Sequence, residues 1–154
     1  MKISIVAAGK IKEEWLKEGI TEYIKRISKF CRVEIIEIPD EPEGASIERA
    51  IEEEGKKMLA RIKANDLVIA LDLGGESMDS LQMAGKLSRW MEKGGAKIIF
   101  LIAGSNGYTK AVLQRAADRI RLSDLTFPHQ MTRLIFLEQL YRSFKIINGE
   151  KYHK

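Results

Sequence analysis

Short apolar runs alternate along the chain with stretches in which apolar residues recur every three or four positions. Five runs have the β-branched, apolar character of buried strands: residues 2–8, 33–38, 67–71, 97–102 and 120–122. Four stretches between them have helical spacing: residues 15–30, 47–62, 81–91 and 112–117. Strands that alternate with helices over the whole length are typical of an α/β fold with a mainly parallel sheet of about five strands.

Polar residues at the borders of these stretches predict where two of the helices begin. Ser46 is expected to cap the second helix with its hydroxyl group. Asp79, followed three residues later by Gln82, forms a capping-box pattern before the third helix. Gly94-Gly95 is a stop signal for that third helix. The predicted helices therefore rest on capping chemistry as well as on apolar spacing.

A last helix is predicted with Pro128 in its first turn, because proline tolerates that position, and residues 131–144 are its strongly apolar part. Apolar residues occupy nearly all sides of this helix, whereas the exposed side of a surface helix is polar. Its surface must therefore be buried inside the fold or shared with another molecule.

The composition limits the kinds of site that the chain can build. The 154 residues, 45% of them hydrophobic, suffice for one sizeable core. Cys31 is the only cysteine, which excludes an internal disulfide and a cysteine-rich metal site. His129 and His153 have no acidic or cysteine partner at ligand spacing, so no metal is expected. The apolar run at residues 3–8 is too short for a secretory signal or a membrane span, and we expect a cytoplasmic protein without a membrane partner.

Three predicted loops lie where open α/β sheets bind ligands, beyond the carboxyl ends of the strands: residues 72–75, 103–107 and 123–127. The middle loop matches neither a Walker A loop nor a dinucleotide-binding glycine pattern, so a nucleotide-using Rossmann enzyme is disfavoured. Gly104 and Gly107 would let backbone amides approach a ligand, although a plain turn that leads into a helix explains them equally. The last loop is similarly open to two interpretations, a ligand-binding loop or a simple capped helix start.

Positive charge is concentrated towards the C terminus. Residues 1–109 contain 17 lysines and arginines against 18 acidic residues, whereas residues 110–154 contain 9 against 4. The second region also holds an aromatic ring beside its basic residues, a combination that suits RNA phosphates and exposed bases. The residues concerned are Arg133, Arg142, Lys145, Lys151, Tyr152 and His153. A frayed tail beside a solvated helix face would have the same composition, so charge alone leaves both interpretations open.

Three strings near the C terminus carry a family resemblance. They are Thr126-Phe127-Pro128-His129-Gln130-Met131-Thr132-Arg133, Glu138-Gln139-Leu140-Tyr141-Arg142 and Tyr152-His153-Lys154. Together with residues 1–12, 21–23, 35–39 and 71–72, these strings resemble the RlmH family. Members of that family are SPOUT-class methyltransferases, dependent on S-adenosyl-L-methionine, that N3-methylate a pseudouridine in helix 69 of bacterial 23S ribosomal RNA.

The resemblance implies an architecture that apolar patterns cannot reveal. It implies one SPOUT domain over residues 1–154, with a deep C-terminal trefoil knot, and knots are too rare to be expected from general topology rules. It also implies a homodimer in which the helix at residues 131–144 packs in the knot and at the interface. The ribosome, through its 23S RNA, is the expected partner.

The resemblance also implies where S-adenosyl-L-methionine binds, mainly through backbone and apolar groups. The expected contacts are Leu71, Ala103, Gly104, Leu122, Ser123, Asp124, Leu125, Thr126 and Phe127. The family usually has two glycines where this chain has Ala103-Gly104. The extra methyl group of Ala103 is expected to change cofactor affinity rather than to abolish activity.

The acceptor nitrogen, N3 of the pseudouridine, must lose a proton before it attacks the methyl group, so a base or a positive charge nearby should help. The candidates for catalysis are His129, Arg133, Arg142 and His153. The candidates for RNA binding, across the dimer, are Arg142, Lys151, Tyr152, His153 and Lys154. An alternative hypothesis is a non-catalytic, ribosome-associated RNA-binding protein that has kept the fold, for which Ala103 is the only sequence hint.

Overall fold

A computed structural model describes residues 1–42, 44–93 and 97–152, and its centre is a sheet of five parallel strands. The strands are β1 (Lys2–Ala8), β2 (Arg32–Ile38), β3 (Leu67–Ser77), β4 (Lys97–Ile102) and β5 (Asp118–Arg121). Their order across the sheet is β2-β1-β4-β3-β5. The predicted α/β fold with a parallel sheet of about five strands is confirmed. His153, Lys154 and the helix end predicted at Gly94-Gly95 lie outside the described residues.

Helices cover both faces of the sheet. They are α1 (Glu14–Ile27), α2 (Ile47–Leu59), α3 (Ser80–Lys93), α4 (Lys110–Arg115) and α5 (His129–Ile147). Helices α1, α3 and α5 pack together on one face, and α2 and α4 lie on the other. No helix in the described part of the chain is long and apolar enough to span a membrane.

Alternate residues of the central strands supply two separate hydrophobic cores. In β1, Ile3 and Ile5 belong to the core beneath α1, α3 and α5, whereas Val6 and Ala8 belong to the core beneath α2 and α4. All four side chains are buried. A strand that is covered on both faces has no polar side, which explains why the predicted strands are continuous apolar runs.

The predicted helix caps are confirmed. The hydroxyl of Ser46 accepts a hydrogen bond from the Arg49 amide at 3.2 Å. The Gln82 amide donates to the Asp79 carboxylate at 2.8 Å, and the Asp79 amide donates to the Gln82 side-chain carbonyl at 2.9 Å. These reciprocal bonds are the capping box. Pro128 precedes the first residue of α5 instead of lying inside its first turn.

The loop predicted at residues 72–75 is wrong, because β3 continues through these residues to Ser77. Leu71 and Glu76 both pair with Ile120 of β5, so the residues between them form a bulge within the strand. A Cβ atom on Gly75 would lie 2.7 Å from backbone atoms of Ile120. The glycine pair therefore serves a close backbone approach, which local sequence cannot distinguish from a turn.

Candidate active site

A cleft of about 330 Å³ opens at the carboxyl ends of β3, β4 and β5. Three segments line it: residues 71–73 of β3, the turn that follows β4, and the connection from β5 into the first turn of α5. This is the edge of the sheet where open α/β folds bind small molecules, and the volume lies within the usual range for a small-ligand site.

Eight of the nine predicted cofactor contacts line this one cleft. They are Leu71, Ala103, Gly104, Leu122, Ser123, Leu125, Thr126 and Phe127. Asp124 is not among the lining residues: its side chain is 83% exposed and pairs with Arg121 at 3.2 Å. The Ser123 hydroxyl accepts a hydrogen bond from the Leu125 amide at 2.9 Å and so shapes the loop itself. The structure thus brings together three segments that are distant in sequence.

Tyr108 is a cleft residue that the sequence patterns did not reveal. Its hydroxyl lies 2.7 Å from the carbonyl oxygens of Leu71 and Leu101, and it accepts a hydrogen bond from the Ala103 amide at 3.2 Å. Burial raises the pKa of Tyr108, so the hydroxyl keeps its proton. A partly buried tyrosine, held by three hydrogen bonds where the pairing of β3 and β4 ends, is a fixed part of the cleft wall. Its only signal in the sequence is an aromatic residue beside the turn at residues 103–107.

His129, one of the catalytic candidates, lines the cleft from the first turn of α5. Its Nε2 atom is buried and has no hydrogen-bond partner among the described residues. Leaving such an atom unpaired costs free energy, so a bound molecule that supplies a partner gains from it. The geometry therefore makes His129 the candidate that is best placed to contact a ligand in the cleft.

Arg133, another catalytic candidate, is not among the residues that line the cleft. Its side chain is fully buried, and its guanidinium donates to the Glu37 carboxylate at 2.8 Å and to the carbonyl oxygens of Ala8 and Gly9 at 2.7 and 2.6 Å. This corrects the expectation of a direct contact with substrate. The arginine instead ties the start of α5 to the carboxyl end of β1.

Glu54 forms an acidic border behind the turn at residue 104. A Cβ atom on Gly104 would lie 2.9 Å from the Glu54 carboxylate, so a larger side chain would displace it. Partial burial, with smaller contributions from Asp40 and Glu41, raises the pKa of Glu54. Glu54 is 50 residues from Gly104 in the sequence, and only the folded chain brings it beside the cleft.

The RNA-binding candidates that the structure describes lie on a different surface. We call this surface the C-terminal face and define it as residues 138–152. The Arg142 guanidinium binds the Glu138 carboxylate at 2.5 Å and lies 4.8 Å from the centre of the Tyr152 ring. Tyr152 also donates its hydroxyl to Glu138 at 3.1 Å and packs edge-on against Tyr141. The described part of the tail is therefore docked against α5, unlike a frayed end. Lys151 is exposed beside it.

Charge on the C-terminal face is largely compensated within the chain. Lys145 pairs with Glu150, and Lys29 of the neighbouring segment binds the same carboxylate at 3.3 Å. Hydrogen bonding to Glu138 raises the pKa of Arg142. The pKa of Tyr152 is also raised, first by burial and then by its bonds to Tyr23 and Glu138. Its phenol is thus a neutral donor at neutral pH.

The cleft and the C-terminal face lie towards opposite ends of α5. His129 begins this helix and Arg142 is thirteen residues further along it, which corresponds to about 20 Å of helix axis. The two side chains therefore start from well-separated turns of the helix. Of the catalytic candidates that the structure describes, His129 lines the cleft, Arg133 is buried between α5 and β1, and Arg142 lies on the C-terminal face.

Known proteins resemble this chain over nearly its whole length. A family model described as "Predicted SPOUT methyltransferase" matches residues 1–153. The chain belongs to the SPOUT methyltransferase family. It is 48% identical to a protein of Acetivibrio thermocellus, 48% to one of Carboxydothermus hydrogenoformans and 50% to one of Clostridioides difficile, over the full length of both chains in each case. All three relatives are named ribosomal RNA large subunit methyltransferase H. In this SPOUT family member, the cleft is the candidate site for a methyl donor.

Proposed function

We propose that the protein transfers a methyl group from S-adenosyl-L-methionine to large-subunit ribosomal RNA, at N3 of a pseudouridine in helix 69 of the 23S RNA. The observation that carries the proposal is the single cleft that gathers eight of the nine expected cofactor contacts. The names of three full-length relatives support the RNA substrate. We further propose a cytoplasmic enzyme with one catalytic domain over residues 1–154 and the C-terminal trefoil knot of its family.

The lining of the cleft suits S-adenosyl-L-methionine. It presents apolar side chains such as Leu122 and Phe127 together with backbone groups of the turn at residues 103–107. A cofactor with an adenine ring and polar ribose and amino acid groups needs this mixture of surface and hydrogen-bonding partners. The unpaired Nε2 of His129 is a further partner that the fold leaves unused.

The bound cofactor supplies an activated methyl group, so the protein mainly has to align the acceptor nitrogen and exclude water. His129 is the proposed proton acceptor for N3 of the nucleotide, because its ring lines the cleft and its Nε2 is unpaired. Arg133 supports this step indirectly by fixing the start of α5 to β1. Neither role requires a metal ion.

A homodimer completes the proposed site. Arg142 lies about 20 Å along the helix axis from His129, and this separation supports a site in which the nucleotide-holding residues come from the C-terminal face of a second copy. Arg142, Lys151 and Tyr152 are the described residues proposed for this role. His153 and Lys154, which lie outside the described residues, are proposed for the same role on the basis of the family resemblance. The shared α5 also accounts for its apolar character on nearly all sides.

The proposal predicts that Arg142→Ala abolishes methylation while binding of S-adenosyl-L-methionine is retained, because the substitution removes an RNA contact and leaves the cleft intact. The test combines mass spectrometry of 23S RNA, from a deletion strain complemented with each variant, with calorimetry of the purified proteins. Arg49→Ala, which removes an exposed cation from α2 on the opposite face of the sheet, is the matched control. His153→Ala should behave like Arg142→Ala. Full methylation in both variants would remove the assigned RNA roles.

The alternative hypothesis, a ribosome-associated RNA-binding protein without catalysis, rests on Ala103, whose methyl group occupies a cleft position that is usually glycine in the family. Calorimetry of the unmodified protein with S-adenosyl-L-methionine separates the two hypotheses. Measurable binding, together with a methyl group at N3 that is lost in the deletion strain, supports the enzyme. Absence of both supports the alternative.

A further inference from the structure

The hydroxyl of Tyr108 lies between β3 and β4, at the point where the pairing of these two strands ends. Leu71 and Ile102 are the last paired residues of β3 and β4. Beyond this pair, the Ala103 amide and the Leu71 carbonyl are joined through the Tyr108 oxygen, at 3.2 and 2.7 Å. The ladder between the strands therefore ends in a hydroxyl bridge, at a point that lines the cofactor cleft.

In this bridge, the Tyr108 oxygen lies between the Ala103 amide and the Leu71 carbonyl and keeps the two groups from bonding directly. The hydroxyl has a single proton, which it shares between the carbonyl oxygens of Leu71 and Leu101, both 2.7 Å away. It also occupies the Ala103 amide, which has no other hydrogen-bond partner among the residues that the structure describes. Without the oxygen, the Ala103 amide would either remain unpaired or move to bond the Leu71 carbonyl directly.

We propose that Tyr108 is a positioning residue for cofactor binding. Its hydroxyl sets the separation of β3 and β4 at the point where their pairing ends, and thereby sets the width of the cleft between Leu71 and Ala103. The inference rests on the proposed function, because it takes S-adenosyl-L-methionine as the ligand. Ala103 carries a methyl group at a position where its family usually has glycine. The hydroxyl bridge fixes the backbone that carries this methyl group, and so fixes where the methyl group lies in the cleft.

The first experiment compares the unmodified protein with Tyr108→Phe, which keeps the ring and removes only the bridging oxygen. Calorimetry measures the dissociation constants of S-adenosyl-L-methionine and of its demethylated product. Loss of a buried hydrogen bond at a ligand site is expected to weaken both by about tenfold. Thermal unfolding without ligand is recorded in parallel, because a purely structural tyrosine would lower the melting temperature and leave these constants unchanged.

Ser4→Ala is the matched control. It removes another buried hydroxyl bond, from Ser4 to the Glu34 carboxylate at 2.7 Å, near the amino end of β1 and away from the cleft. We expect this variant to lose stability without a change in cofactor affinity. A tenfold loss of affinity in Tyr108→Phe, with no loss in Ser4→Ala, supports the inference.

Two results would overturn it in distinguishable ways. If the unmodified protein binds the cofactor and Tyr108→Phe binds it within a factor of two, the positioning role fails and the proposed function stands. If the unmodified protein does not bind the cofactor at all, the proposed function fails and the inference fails with it.

A measurement on the unmodified protein keeps the inference testable if Tyr108→Phe does not fold. Amide hydrogen exchange, resolved by residue, should show Ala103 protected in the absence of cofactor because the Tyr108 oxygen binds its amide. Ser105 in the same turn is exposed and serves as the internal reference. Exchange of Ala103 as fast as that of Ser105 would overturn the hydroxyl bridge.

Discussion

The cofactor cleft and the C-terminal face lie towards opposite ends of α5, yet different interactions hold them. Cleft residues are fixed by uncharged hydrogen bonds and backbone packing, such as the bridge from Tyr108 to Leu71 and Ala103. On the C-terminal face, ion pairs and aromatic contacts hold the side chains, with Arg142 between Glu138 and Tyr152. The cofactor cleft thus has a preformed shape, and the C-terminal face has a preformed charge distribution.

This difference indicates how each region would bind its ligand. A preformed cleft binds a small molecule without rearranging its own groups, so shape limits affinity. Cations on the C-terminal face already have acidic partners, because Arg142 pairs with Glu138 and Lys145 pairs with Glu150. An RNA phosphate must replace a carboxylate there, so binding becomes an exchange of partners that depends on ionic strength. The two regions should therefore respond differently to substitution and to ionic strength.

The largest expected effect is that of Arg133→Met, which should impair both regions because Arg133 anchors the helix that joins them. Removal of the guanidinium leaves the carbonyls of Ala8 and Gly9 without their donor and Glu37 without its cation. Because the Glu37 carboxylate is 40% exposed, the cost comes mainly from the two unpaired carbonyls, at about 2 kcal/mol each and about 4 kcal/mol in all. Chemical denaturation should show this loss, with weaker cofactor binding at neutral pH. Arg49→Met, at an exposed position of α2, should stay within about 0.5 kcal/mol of the unmodified protein.

Gly75→Ala should damage the cleft and spare the C-terminal face. The added Cβ would lie 2.7 Å from backbone atoms of Ile120, and a backbone cannot yield as a flexible side chain does. We expect a loss of about 3 kcal/mol and displacement of β5, hence weaker cofactor binding. Gly85→Ala in α3 is the control, since its Cβ meets only the Arg89 side chain at 3.6 Å and alanine favours helices. Equal unfolding free energies in the two variants would contradict the close approach at Gly75.

Much of the fold could be predicted from the sequence because the interactions that define it are local. The apolar run at residues 97–102 corresponds to β4, since a strand covered on both faces needs no polar residue. The caps at Ser46 and Asp79 were predictable because each involves groups three residues apart. Most of the cleft residues were predicted from the family resemblance. The apolar pattern alone predicts only that a ligand site lies beyond the carboxyl ends of the strands.

The remaining features depend on partners that are distant in the chain. Gly75 resembles a turn signal until β5, about 45 residues later, lies against it. Arg133 has the charge of a catalytic residue, but its partners at Ala8 and Gly9 are more than 120 residues away. No local pattern records these contacts. A buried structural arginine and a substrate-binding arginine are therefore alike in sequence.

Ionic strength should separate the two regions without any mutation. With Arg142, Lys151 and Lys154 as the proposed phosphate contacts, affinity for a helix 69 hairpin should fall about 20- to 40-fold between 50 and 200 mM salt. Cofactor affinity should change less than twofold, because the cleft is lined mainly by uncharged groups. Fluorescence anisotropy and calorimetry measure the two affinities.

Lys151→Gln sharpens the same test, since Lys151 is an exposed residue proposed to hold RNA and its loss should reduce the salt dependence of RNA binding by about one contact. Lys57→Gln on α2, which disrupts an ion pair with Glu41 instead, should leave this dependence unchanged. An RNA affinity that does not respond to salt would contradict the assignment of the C-terminal face.

The smallest expected effect is a stabilisation by Glu54→Gln at the border of the cleft. Because folding raises the pKa of Glu54, the folded state holds its proton more tightly, and the ionised carboxylate destabilises the protein at neutral pH. The amide removes that charge, so we expect a gain below about 1 kcal/mol at pH 7, small because the group is partly solvated. The gain should disappear below an ordinary glutamate pKa of 4.5, where Glu54 is neutral in the folded and the unfolded chain. Thermal unfolding across this pH range measures it, with Glu52→Gln at an exposed position of the same helix as the control. A gain that persists at pH 3.5 would mean that charge at residue 54 is not its source, and that the border of the cleft is governed by packing alone.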